Sequence, residues 1–136
     1  ADWYLLFSQR RGALENYQLA WHVLQEQENA EELTQRLFGE VVPLPSFASS
    51  IEIPEAYYKN EDGSDALNFD YADLTFDVTD SGMVRNVATD SEETEANKLQ
   101  LSKLRNMVRS MRFRPLIVDG APQHSSENHF RYRYWY

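Results

Sequence analysis

An α+β fold is predicted by three features of the sequence. Apolar residues recur at three- and four-residue spacing over residues 3–38, two-residue alternation marks residues 69–78 and 129–136, and one amphipathic helical stretch lies between the alternating regions. The expected architecture is an N-terminal helical hairpin with an extra helix over residues 1–40, a linker over 41–68, and a β-β-α-β-β domain over 69–136. In that last domain a single helix packs on an antiparallel sheet.

The apolar run at residues 3–7 and the stripe Leu14, Tyr17, Ala20, Trp21, Leu24 predict two paired helices. Gly12 is expected in the turn between them, because glycine reaches positive φ without steric cost. Asn29 should cap a third helix carrying Glu31 and Glu32 at its positive end and Leu33, Leu37 and Phe38 on its apolar side, with Gly39 ending it. Pro43 and Pro45 stop continuation, and Pro, Ser, Gly and acidic residues fill the stretch to Asp65.

From Phe69 onward Ala72, Leu74, Phe76 and Val78 fall on one side of a strand and Tyr71, Asp73, Thr75 and Asp77 on the other. Asp80-Ser81-Gly82 turns the chain into a second, antiparallel strand over residues 83–89. Asp90 or Ser91 should cap the next helix, whose first turn holds Glu92, Glu93 and Glu95 and whose last turn holds Arg105, Arg109 and Arg112, the charge order the helix dipole favours. Its stripe is Leu101, Leu104, Val108 and Met111. A third strand is expected over residues 113–118, then a turn at Asp119-Gly120 with Pro122 fixing the loop. The closing strand sets Phe130, Tyr132, Tyr134 and Tyr136 against His129, Arg131, Arg133 and Trp135.

A net charge of −9 opposes non-specific nucleic-acid binding. The charge is uneven: residues 1–68 carry 4 basic and 12 acidic side chains, residues 96–136 carry 8 basic and 2 acidic, so the last third is locally positive. An RNA-binding sheet with stacking aromatics is the rival class, disfavoured by the acidic balance and the missing recognition motif. The chain has no cysteine, hence neither a disulfide nor a thiolate metal site. His22, His124 and His129 have no ligand spacing, no Ser or Thr lies in a nucleophile elbow, and no phosphate loop exists. Binding rather than catalysis is therefore expected, with no cofactor and no metal. No apolar run approaches a bilayer span. The opening Ala1-Asp2-Trp3-Tyr4 reads as neither a signal peptide nor a natural start, so an upstream part with any targeting segment is expected.

Asp2-Trp3-Tyr4 followed by Gly12-Ala13-Leu14-Glu15-Asn16-Tyr17-Gln18-Leu19-Ala20-Trp21 resembles a tetratricopeptide repeat, with Ala13, Tyr17 and Ala20 at its small-aromatic-small spacing. The second half resembles the TonB C-terminal domain. The residues that carry this are Leu74-Thr75-Phe76-Asp77-Val78, Asp80-Ser81-Gly82-Met83-Val84-Arg85-Asn86-Val87, the following helix, Met111-Arg112-Phe113-Arg114-Pro115, Val118-Asp119-Gly120-Ala121-Pro122 and the aromatic closing strand. That resemblance implies a periplasmic module of the energy-transducer family, coupled to transport or envelope assembly, that pairs its sheet edge with an outer-membrane or envelope protein. A tetratricopeptide-like region directly before the domain departs from TonB, which carries a membrane helix and a proline-rich spacer, and favours a scaffold or assembly role.

Candidate partner-binding residues are His129, Arg131, Arg133 and Trp135 on the outward face of the closing strand, with Arg112 and Arg114 beside it. The arginines suit a carboxylate-bearing partner, but a solvated face that discourages aggregation is the preferred reading of them. The expected function is a protein-protein interaction module with a protein partner or a second copy of itself. The alternative is a structural cap closing a tetratricopeptide array whose partners bind upstream.

Overall fold

The computed structural model describes residues 1–45, 63 and 69–135, the side chains of Phe69 and Trp135 excepted. The elements run α1 (Asp2–Leu6), α2 (Arg10–Gln25), α3 (Ala30–Phe38), β1 (Val42–Pro43), β2 (Phe69–Val78), β3 (Val84–Thr89), α4 (Lys98–Ser110), β4 (Phe113–Arg114), β5 (Leu116–Val118), β6 (Ala121–Gln123) and β7 (Ser125–Trp135). The protein is thus α+β, with every strand pair antiparallel. The expected linker lies outside the described residues from position 46 to 68, Gly63 apart.

The alternation of β2 decides the main sheet. Ala72, Leu74, Phe76 and Val78 are buried on one face, and β2 sits at the centre of a three-stranded sheet of order β3-β2-β7. Helix α4 covers that face through Leu101, Leu104 and Val108. Val84, Phe113 and Tyr134 complete this core, and Phe76, Phe113 and Phe130 meet with ring centroids 5.1–5.4 Å apart. Each such fully buried apolar side chain contributes roughly 1.5–3 kcal/mol.

A second core holds Leu5, Ala13, Tyr17 and Phe38 from the helices together with Leu44 and Ile117. Packing therefore crosses the expected boundaries at residues 40 and 68. Strand β1 pairs with β4, the Leu44 amide donates to the Arg112 carbonyl, and the β5–β6 hairpin rests on α2 and α3. A domain of 68 residues gains needed burial from such a neighbour.

Four local expectations are corrected. Gly12 is not in the turn between the first helices: it lies in the first turn of α2, and the reversal falls at Phe7-Ser8-Gln9, with Ser8 at φ 58°. A Cβ at Gly12 would stand 2.9 Å from the Tyr4 ring, so its smallness serves close helix approach. Asn29 precedes α3, but its side chain makes no capping hydrogen bond. Helix α4 begins at Lys98 rather than after Asp90 or Ser91. The residues before it fold around buried Asn97, whose Oδ1 accepts from the Thr94 amide (2.8 Å) and whose Nδ2 donates to the Glu92 carbonyl (3.0 Å) and the Tyr134 hydroxyl (3.2 Å). Glu93 instead pairs with Arg105.

Nor do residues 113–118 form the third strand of the expected β-β-α-β-β sheet. Residues 113–118 split at buried Pro115, which has no amide to donate, and neither half joins the main sheet as a full strand. Strand β4 pairs with β1, and β5 pairs with β6 through a two-residue turn in which Asp119 and Gly120 both have positive φ. The side chains part company accordingly: Phe113 enters the sheet core and Ile117 the helical core. Between them Arg114 donates from Nε to both Asp2 carboxylate oxygens (3.1 and 3.2 Å) and from its guanidinium to the Leu37 carbonyl (2.7 Å). Tyr17 donates its hydroxyl to the same carboxylate at 2.7 Å. Burial, and then this hydrogen bond, push the Tyr17 hydroxyl well above the usual tyrosine range.

Gly82 adopts φ 71°, its carbonyl accepts from the Phe113 amide at 3.0 Å, and a Cβ there would stand 2.2 Å from the Phe113 carbonyl oxygen. We expect Gly82→Ala to destabilise the chain by at least the roughly 1–3 kcal/mol of a strained left-handed residue, read as a lower urea midpoint. An unchanged midpoint would show that the turn is not locked to residue 113.

Candidate interaction surface

The outward face of the main sheet follows directly from the two alternations. With Ala72, Leu74, Phe76 and Val78 turned to α4, side chains at 71, 73, 75 and 77 point away from it. The β2–β7 register sets Tyr71 opposite Arg133, Asp73 opposite Arg131 and Thr75 opposite His129. Among the candidates named from sequence, His129, Arg131 and Arg133 thus share one exposed row. Trp135 pairs with Phe69 in the backbone register, while its side chain lies outside the described residues.

Arg131 grips Asp73 in a two-pronged contact, Nε to Oδ1 and a terminal nitrogen to Oδ2, both 2.7 Å. The hydrogen bond from Arg131, foremost, holds the Asp73 carboxyl below the usual carboxylate range and raises the guanidinium in turn. Both side chains are open to water (66% and 46% exposed), so screening leaves the pair a weak contributor to stability and a good setter of register.

At the far end of the sheet both neighbours of β2 slip. The register with β3 shifts between Thr75 and Asp77, and that with β7 shifts between Phe76 and Val78. Asn86 (φ 51°) and Glu127 (φ 56°) take the left-handed conformation there. Asp77 spans both irregularities: one oxygen accepts from the Asn86 side-chain amide (2.6 Å) and the other from the Glu127 backbone amide (3.2 Å). The first of these is the main reason its carboxyl sits below the usual range. The regular part of β7 is consequently residues 128–135, paired with residues 69–76.

The remaining two candidates sit elsewhere. Arg112 is half-buried and its main chain bridges Met83, and Arg114 is engaged with Asp2 and Leu37 as described above. Neither is brought to the β7 row. Sequence reasoning missed Asp73 as the partner of Arg131 in that row and Asp77 as the group that holds the adjoining register shifts. The available signal for Asp73 was its place on the outward strand face, opposite a closing strand that alternates arginines.

The two rims of the sheet differ. Beside the start of β3, the bridge from Arg112 to Met83 and the bond from the Phe113 amide to Gly82 occupy the rim. Among the described residues no strand pairs with the outer rim of β7. On the inner side Phe130 and Tyr132 are half-buried at this rim, their rings 6.2 Å apart, and the Tyr132 hydroxyl reaches the Met111 sulfur at 3.5 Å.

Among the described residues no group of three or more histidine, aspartate or glutamate side chains is placed to hold a metal ion, and no helix is long and apolar enough to cross a membrane. Comparison with protein-family models, curated proteins and solved structures finds no match to this chain.

Because the folded carboxyls of Asp73 and Asp77 lie below the ordinary value of 3.8, their contribution to stability is complete above that pH and is lost as the pH falls through the lowered values. We expect Asp77→Asn to lower the urea midpoint at pH 7 and to match the parent chain once the carboxyl of the parent is protonated. A difference that persists unchanged into that acid range would assign the effect to something other than the carboxylate charge.

Proposed function

We propose that this chain is a protein-binding module of the bacterial periplasm, related in design to the TonB C-terminal domain, that receives an extended segment of an envelope protein along the outer rim of β7. The observation that carries this is the eleven-residue strand β7, hydrogen-bonded to β2 on one side and without a strand on the other among the described residues. Such a rim offers a row of backbone amides and carbonyls at fixed spacing, which is what strand addition uses for affinity. The resemblance in residues 74–87 and 111–122 supports the compartment and the class of partner. Interlocking of the helices with the sheet through Ile117, Leu44 and Arg114 supports a scaffold role over a free-standing tether.

A second reading, the cap of a tetratricopeptide array, is favoured by one specific observation. Trp3 (64% exposed), Leu19 (63%), Val23 (51%) and Leu37 (43%) leave apolar surface on the helices, around a cavity of about 670 Å³ that also reaches Tyr17 and Arg114. A photo-crosslinking residue placed at Arg133, or separately at Leu19, in the intact protein within its own cells separates the two. The rim reading expects a discrete adduct from position 133 that is absent from position 19. Adducts from position 19 alone give the function to the helical face.

A further inference from the structure

The rim of β7 carries its own chemical selectivity. Side chains on the two faces of a strand come within reach of the same-face side chains of whatever strand pairs beside it. On the outward face of β7 these are His129, Arg131 and Arg133, and on the inward face the half-buried Phe130 and Tyr132. The row at the rim is therefore cationic outside and aromatic inside, on a chain whose net charge is −9.

A second copy is a poor occupant for this row. Antiparallel pairing of two β7 strands keeps same-face residues opposite one another, so a pair centred on Arg131 sets that arginine against itself. One centred on Tyr132 sets Arg131 of one copy against Arg133 of the other. Like charges directly opposite are unfavourable. Asp73 already holds Arg131 from the β2 side, which fixes the guanidinium in the row. A guanidinium so placed keeps further N–H donors beyond the two that Asp73 uses.

We infer that the rim of β7 selects an extended segment in which carboxylate side chains alternate with apolar ones, the carboxylates facing Arg131 and Arg133 and the apolar residues covering Phe130 and Tyr132. This deepens the rim reading of the preceding subsection and rests on it. Charge sets which strand docks, and the apolar positions extend the α4-covered core outward by one strand.

The test uses three blocked octapeptides with a soluble glycine-serine tail: valine alternating with aspartate, with serine, or with lysine. Each is titrated into the full chain at physiological ionic strength, where the Debye length of about 8 Å confines the effect to neighbouring charges rather than the net −9. Binding is read by fluorescence polarisation and by amide protection along residues 128–135. Two cross-strand charge pairs predict that the aspartate peptide binds roughly two- to thirtyfold more tightly than the serine peptide. The lysine peptide should bind weakest, and Arg133→Glu should reduce or reverse the order. Equal affinities for all three with new protection along β7 would overturn the carboxylate preference and leave rim pairing standing. No affinity and no protection with any peptide would overturn both. Self-association of the chain with β7 protected would replace the acidic segment by a second copy.

Discussion

The structure turns on six residues, 112–117, where one short stretch of backbone has to serve two cores at once. Its main chain is bonded on both sides, to Leu44 and β1 on one and to Gly82 and Met83 on the other. Its side chains then diverge, Phe113 into the sheet core and Ile117 into the helical one, with buried Pro115 as the pivot that ends one pairing and lets another begin. Arg114 closes the junction by donating to both Asp2 and the Leu37 carbonyl, so that α1, the end of α3 and β4 are tied through one guanidinium, while Tyr17 holds the same carboxylate. Because Arg114 is mostly buried while Asp2 is open to water, loss of the carboxylate leaves the poorly hydrated group, the guanidinium, short of a partner.

This constraint shapes the candidate surface. Residues 112–113 occupy only the start of the rim on the β3 side, beside Met83, and by standing behind Phe76 and Phe130 the Phe113 ring braces the β7 side. Among the described residues the longer rim without a strand is that of β7, eleven residues against six in β3, regular over residues 128–135 by its pairing with β2 and irregular at Glu127, whose amide Asp77 holds. The same arginines that would draw a carboxylate-bearing strand also discourage uncontrolled edge association, so specificity and solubility are served by one row of charge.

Much of this was legible because it is local. The two-residue alternation of β2 named its four buried residues, the stripe Leu101, Leu104, Val108 named the face of α4, and the alternating closing strand set His129, Arg131 and Arg133 on one side. What escaped depends on pairs distant in sequence. Asp2 and Arg114 are 112 residues apart, and no local pattern announces their contact. The start of α4 was misplaced because Glu92, Glu93 and Glu95 resemble a first helical turn, while buried Asn97 draws the chain into a different bend. Residues 113–118 looked like one strand because alternation does not reveal that Pro115 divides the hydrogen bonds between two neighbours.

Docking of a partner strand requires the outer rim of β7 to be open in the intact chain. In an edge strand every second amide points away from its neighbour, so exchange rates along the strand alternate when that side faces water. Residue-resolved amide hydrogen exchange on the free protein is the direct measurement. The prediction is alternating slow and fast exchange across residues 128–135. Uniform slow exchange along the whole stretch would show the rim already sealed and would contradict it.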